Sequence, residues 1–199
     1  MNNYHQNGFQ VVHNCISEET ALLLGIEFQM IRDNIFLVNN KDPNKDIHSI
    51  NDNQVEKSFS WYGSICFESL MLMLQPKVEE VVGKPLFPVY SYARIYYNDA
   101  VMHPHVDRSF GPAASITIET DGTDWELWME GFDGKQNALT LPVGDMVIYQ
   151  GDKCKHWRNN YTGQKQIQAF FFYVEQDGTN AHLKYDKRPM LGAAGFRYQ

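Results

Sequence analysis

GDMVIYQGDKCKHWRNNYTGQKQIQAFFFY, residues 144 to 173, is the stretch that decides the fold of this chain. It reads as a short apolar strand, Met146 to Tyr149, then a glycine-containing turn, His156, and a long terminal strand, Gln166 to Val174. Along that last segment Lys165, Ile167, Ala169, Phe171 and Tyr173 alternate and therefore share one face. Upstream the same grammar continues. Tyr90 to Tyr97, Ala114 to Glu119, Trp125 to Met129 and Ala138 to Leu141 are short, rich in aromatic and β-branched residues, and separated by Gly, Asp and Pro. Pro142-Val143-Gly144-Asp145 is a turn in which Gly144 can take a positive φ without steric conflict.

Before residue 88 the pattern is helical. Ser17-Glu18-Glu19 reads as a helix cap with acidic residues in the first turn, and Ala21, Leu24, Phe28 and Ile31 recur at helical spacing, which predicts a helix over about 17–32. Phe67, Leu70, Met71, Leu74, Val78, Val81 and Val82 predict a second helix over about 64–82, interrupted or kinked near Pro76 and ended by Gly83. Residues 38–58, rich in Asn, Asp and Lys, lack periodicity and read as a surface loop. Helices followed by a run of antiparallel strands predict a mainly β fold, a small barrel or sandwich with helices on one outer face.

The chain has 199 residues, a length suited to one domain. We expect helical support over 1–85, a β core over 86–176 and a C-terminal tail over 177–199, which either folds over a mouth or packs outside. A formal charge of −7 argues against a broad phosphate-binding face. Cys15, Cys66 and Cys154 are too few and scattered for a disulfide framework or a CxxC zinc site. No apolar run is long enough to cross a bilayer, and the start, MNNYHQNGFQ, is polar rather than signal-like, so a cytoplasmic location is expected.

The chemistry concentrates in His103-Pro104-His105-Val106-Asp107 and in His156. On an extended strand, residues two apart point to one side, so His103/His105 or His105/Asp107 could form a ligand pair. With His156 from a distant strand, His105 and Asp107 make two imidazoles and a carboxylate, a set that occupies one face of an octahedral Fe(II) and leaves the other open. Lys165, among apolar neighbours, needs a partner. A bound carboxylate would supply one, and so would water at the strand's frayed start. Ser115 and Thr117 share one face of the strand after the HxD turn, which either lends hydroxyls to a pocket or, as an ordinary strand face, is solvated. Tyr96 and Arg94 alternate with Tyr92. Arg108 follows Asp107, and Trp157 and Arg158 flank His156 as bracing residues. Cys154 reads as structural rather than as a ligand.

The order of helix, YSYARIYYNDAVMHPHVDR, apolar strands, GDMVIYQGDKCKHWR and GQKQIQAFFFY resembles the 2-oxoglutarate- and Fe(II)-dependent dioxygenases, most closely their prolyl 4-hydroxylase-like branch. The resemblance covers roughly residues 60–175. It implies a double-stranded β-helix, or jelly-roll, core. It also implies His105, Asp107 and His156 as iron ligands and Lys165 as the cation for the far carboxylate of 2-oxoglutarate. Tyr96 would hydrogen-bond that co-substrate, with Thr117 contributing a hydroxyl. The implied reaction uses Fe(II), 2-oxoglutarate and O2 to hydroxylate a substrate C–H, with release of succinate and carbon dioxide. Asp107 favours hydroxylation, since a small residue there would open a position for halide. The loop Asn98-Asp99-Ala100-Val101-Met102 lacks the glycine often found in that branch, so peptidyl proline is one candidate substrate and a free amino acid or small metabolite another. A nucleic-acid substrate is not expected: there is no basic stripe, and the pair of spaced arginines that the nucleic-acid demethylases of the superfamily display is missing after His156. The reading from another class is a non-catalytic metal-binding β-barrel module.

Overall fold

A computed structural model describes residues 3–38, 48–50, 54–107 and 111–192. Among the described residues the strands form two antiparallel sheets. The larger runs, edge to edge, β1 (Phe9–Val12), β9 (Met146–Gln150), β6 (Pro112–Thr120), β11 (Lys165–Glu175), β4 (Leu86–Tyr97), β3 (Ser58–Tyr62) and β2 (His48–Ile50). The smaller runs β5 (Met102–His105), β10 (His156–Arg158), β7 (Leu127–Glu130) and β8 (Gln136–Leu139). From β4 to β11 the chain passes large, small, large, small, small, large, small, large, which is the winding of a jelly roll.

Two apolar layers follow from strand alternation. Helix α1 (Asn3–Asn7) is a short opening turn, and on the outer face of the larger sheet Ala93, Ile95, Ile116, Ile148, Ile167, Phe171 and Tyr173 pack with Phe28, Phe67 and Met71 of α2 (Glu18–Val38) and α3 (Ile65–Val82). Between the sheets lie the opposite-parity residues, among them Tyr96, Val147, Tyr149 and Phe172, against Met102, Leu127 and Met129 of the smaller sheet.

Helix α2 starts where the cap predicts, with the Thr20 amide donating to Ser17 Oγ at 3.3 Å, and runs past residue 32 because Ile35 still finds a buried place. Helix α3 continues through Pro76 without the expected interruption; Leu74 and Val78 remain buried on either side, and that packing carries the helix across the missing N–H. It ends at Gly83, φ +75°, whose amide donates to Glu79 O. The loop expected over 38–58 is corrected at its far end. His48–Ile50 pairs with β3, and β3 pairs with β4, so polar composition concealed a sheet edge. The turn at 142–145 is as expected: Asp145 N donates to Pro142 O and Gly144 has φ +86°. A Cβ on Gly144 would lie 2.7 Å from Ile16 O.

The C-terminal segment folds back as a strap. A short 3-10 stretch, Ala181–Lys187, packs on β4 and β11. Beyond it the fully buried Arg188 Nη2 meets Glu68 Oε1 of α3 at 2.6 Å, and the Gly192 amide donates to the same carboxylate. Asp186 accepts a hydrogen bond from Tyr62 Oη at 2.5 Å. The tail therefore bridges two layers: Leu183 packs against the apolar layer between the sheets and Asp186 is tied to Tyr62, while Arg188 reaches α3. Phe196 lies outside the described residues. Among the described residues no helix is long and apolar enough to cross a membrane.

Candidate metal centre

Antiparallel pairing sets His156, the first residue of β10, directly opposite His105, the last of β5. Directly opposed residues are the nearest side-chain neighbours a sheet offers, and the two imidazole centroids lie 4.4 Å apart. Asp107 is held beyond the strand end by its own amide, which donates to Gly151 O at 2.7 Å. Its Oδ1 lies 3.8 Å from His105 Nε2 and 3.7 Å from His156 Nε2. One donor atom from each residue falls within 4.8 Å of the others.

The polar contacts around this triangle leave the donor atoms available. His105 Nδ1 lies 2.7 Å from His103 O, and His156 Nδ1 lies 3.0 Å from Cys154 O. A carbonyl only accepts, so each Nδ1 carries the proton and each Nε2 keeps its lone pair. Burial, the largest influence on His156, pulls its pKa below 6.5 and favours the neutral ring that a metal requires. Tyr149, buried on β9, donates to Asp107 Oδ2 at 2.7 Å, leaving Oδ1 turned to the imidazoles. Burial, then the Asp107 charge, lifts the Tyr149 phenol well above 10, so it remains a donor. Two imidazoles with Nδ1 on main-chain carbonyls and one oriented carboxylate fit a divalent iron.

The triangle opens into a cavity of about 530 Å³ whose wall includes Tyr90, Tyr92, Arg94, Tyr96, Phe170 and Phe172. Tyr90 stacks on Phe172 with centroids 4.5 Å apart, and Tyr62 packs on Tyr90 at 5.2 Å. Arg94, 3% exposed, donates to Tyr92 Oη at 3.1 Å. A second cavity of about 380 Å³ opens beside Tyr4, Lys84 and Glu175 and, among the described residues, has no set of metal donors.

Several sequence-predicted residues take other positions. Lys165 does not reach the cavity. It lies on the helix-covered face with Ile167 and Phe171, where Nζ pairs with Glu119 Oε1 at 2.5 Å and donates to Gln29 Oε1 of α2 at 2.6 Å. The interior face of β11 instead presents Gln166 and Gln168, both buried. Tyr96 lines the cavity, and its hydroxyl donates to Met102 Sδ at 3.9 Å. Thr117 is buried between the sheets rather than on the cavity wall; Oγ1 donates to Leu141 O and accepts from Gln168 Nε2. Ser115 joins the same network through Gln168, so this strand face is interior, not solvated.

Trp157 does not brace His156. It faces outward and stacks on Trp128 at 6.1 Å. Arg158, by contrast, is interior. Its Nη1 donates to Trp125 O and its guanidinium lies 4.7 Å over the Trp125 ring, while burial pulls its pKa down to about 10, still charged at neutral pH. Cys154 is structural, its thiol donating to Gly8 O at 3.3 Å. His103 is exposed and lies outside the donor triangle. Arg108 lies outside the described residues. Sequence reasoning missed Tyr149, whose only signal was its place at the end of the apolar strand preceding His156.

No family model matches the sequence, and comparison with curated proteins likewise gives no match. Comparison of folds does. The chain is similar to a prolyl-4-hydroxylase of Pseudomonas putida, with TM-score 0.63 and 12% identity over 87% of this chain and 95% of that one. It is similar to HygX of Streptomyces hygroscopicus, solved with nickel, 2-oxoglutarate and hygromycin B bound, with TM-score 0.65 and 12% identity over 98% and 93% of the two chains. EctD of S. alaskensis, solved with bound Fe, aligns with TM-score 0.65 and 12% identity over 86% and 74%. The jelly roll built here from β4 to β11 is the fold of the 2-oxoglutarate- and Fe(II)-dependent oxygenases.

Proposed function

We propose that this protein is an Fe(II)- and 2-oxoglutarate-dependent dioxygenase that hydroxylates a C–H bond of an organic substrate. One observation carries the reading. His105, Asp107 and His156 converge at the mouth of an aromatic-walled cavity, each with its other polar atom already engaged by Tyr149 or a main-chain carbonyl. Such a set holds a metal from one side and leaves the cavity side open.

The residues divide the work. His105 and His156 present Nε2, and Asp107 presents Oδ1, its carboxylate aimed by the hydrogen bond from Tyr149. Fe(II) held there, with 2-oxoglutarate and O2, supplies the oxidising chemistry that puts oxygen into a C–H bond and yields succinate and carbon dioxide. Tyr90, Tyr92, Phe170 and Phe172 form an apolar wall that limits water around the reacting groups. The fold neighbours include a prolyl-4-hydroxylase and an enzyme solved with the small molecule hygromycin B, so a peptide side chain and a small metabolite are both admissible substrate classes. We place the reaction in the cytoplasm, where Cys15, Cys66 and Cys154 would keep the free thiol form they show here.

The test is an anaerobic titration of metal-free protein with Fe(II), then 2-oxoglutarate, followed by visible absorption. A charge-transfer band that needs both components and vanishes in His105→Ala is the expected result. Absence of the band despite measured metal binding would refute the reading and favour a non-catalytic metal-binding barrel.

A further inference from the structure

A five-carbon oxo diacid that meets the metal at one end carries a second carboxylate at the other, and that charge needs a cation inside the barrel. Lys165 cannot serve: Glu119 and Gln29 hold it on the opposite face of β11. The interior residues of that strand's first turn of alternation, Gln166 and Gln168, are neutral.

Arg158 meets the requirement from another strand. It lies two residues beyond His156 on β10, on the same face, about 6–7 Å further along the strand. Its side chain is buried, with the residue 3% exposed. Among the described residues no carboxylate pairs with it; its hydrogen bond is to the main-chain Trp125 O. A buried guanidinium without an anion is strongly disfavoured, and its planar fork matches a carboxylate in two parallel bonds. Arg158 and Trp125 stand behind the cavity wall rather than on it, and Tyr96 is the link: its ring lines the wall and meets Trp125 edge-on at 5.0 Å, while Trp125 carries the guanidinium on its face.

We propose that Arg158, projecting from β10, receives the distal carboxylate of the co-substrate, the role a β11 cation would otherwise fill. The assignment rests on the dioxygenase reading above. It makes the competing cation explicit as well: Arg94 stands on the cavity wall but on β4, engaged with Tyr92.

The experiment compares two ligands on Ni(II)-loaded protein by anaerobic calorimetry: 2-oxoglutarate, and 2-oxobutyrate, which has the same chelating end and no far carboxylate. The variants are Arg158→Gln, Arg158→Lys, Arg94→Gln and Lys165→Gln, with Ni(II) affinity and thermal melting as checks on the fold. Wild type is expected to prefer 2-oxoglutarate by about 10- to 100-fold, the range of a charge-assisted pair. Arg158→Gln should abolish that preference while 2-oxobutyrate and Ni(II) bind as before, and Arg158→Lys should retain part of it. Lys165→Gln should leave it intact. A preference that survives Arg158→Gln, or one that collapses in Arg94→Gln instead, overturns the assignment while leaving the dioxygenase reading standing. If Arg158→Gln does not fold, an undiminished preference in Arg158→Lys overturns it equally. Binding of neither oxo acid to Ni(II)-loaded wild type overturns both.

Discussion

Tyr149→Phe removes one oxygen atom from the interior and nothing else. The ring would keep its edge-on contact with His156, whose centroid is 5.0 Å away, so the β9 packing survives. What disappears is the 2.7 Å bond that holds Asp107 Oδ2. A hydrogen bond to a charged group contributes about 1.5–3 kcal/mol. That bond exists before a metal arrives, so only its share in aiming Oδ1 at the imidazoles is lost from binding. Loss of such an outer partner typically weakens a site by about 10- to 100-fold, or about 1.4–2.8 kcal/mol, which stays within the bond's full value. The assay is anaerobic calorimetry with Mn(II) and Fe(II) on wild type and variant at the same pH, beside a melting curve of each. Because burial and the Asp107 charge keep the Tyr149 phenol protonated well above pH 10, the deficit should be the same at pH 7 and pH 9. Equal affinities for wild type and Tyr149→Phe would refute the claim that the phenol orients the carboxylate.

Two other outcomes follow from the geometry. Lys165→Ala should leave the 2-oxoglutarate dissociation constant within about twofold of wild type and lower stability by only about 0.5–1 kcal/mol, since its pair with Glu119 is partly exposed; a much weakened co-substrate affinity would mean the β11 face is wrongly assigned. In the metal-free protein, burial holds His156 below its ordinary 6.5, so as pH falls through 6.5 the unfolded chain takes up that proton first and the fold loses stability. Melting temperatures at pH 7.5, 6.5 and 5.5 should fall in wild type and fall less in His156→Gln; parallel curves would show that this histidine does not titrate as a buried group.

The strands were legible because Met146–Gln150 and Lys165–Glu175 are dense in β-branched and aromatic residues and bounded by turn residues. The donor triangle was legible in part. An HxD on a strand puts two donors on one side by local geometry alone, but the opposition of His156 and His105 is a register between segments 51 residues apart and is a tertiary fact. Lys165 shows where local reasoning stopped. It shares its face with Ile167, Ala169, Phe171 and Tyr173, while Phe170 and Phe172 make the other face apolar too. With little hydrophobic contrast, alternation identifies the two faces without saying which one the helices cover. Arg158 was read only as a brace for His156, because a three-residue strand such as β10 carries almost no periodic signal to say which face is interior.

The strap at the C-terminal end bears on the order of events during synthesis. Residues 181–192 leave the ribosome after every strand of the barrel, yet Asp186 restrains Tyr62, Tyr62 packs on Tyr90, and Tyr90 forms part of the cavity wall. A nascent or truncated chain that already has its histidines and aspartate in place would still lack the buried Arg188–Glu68 latch. A chain without this strap would therefore keep the donor triangle behind a cavity wall that has lost its outer brace.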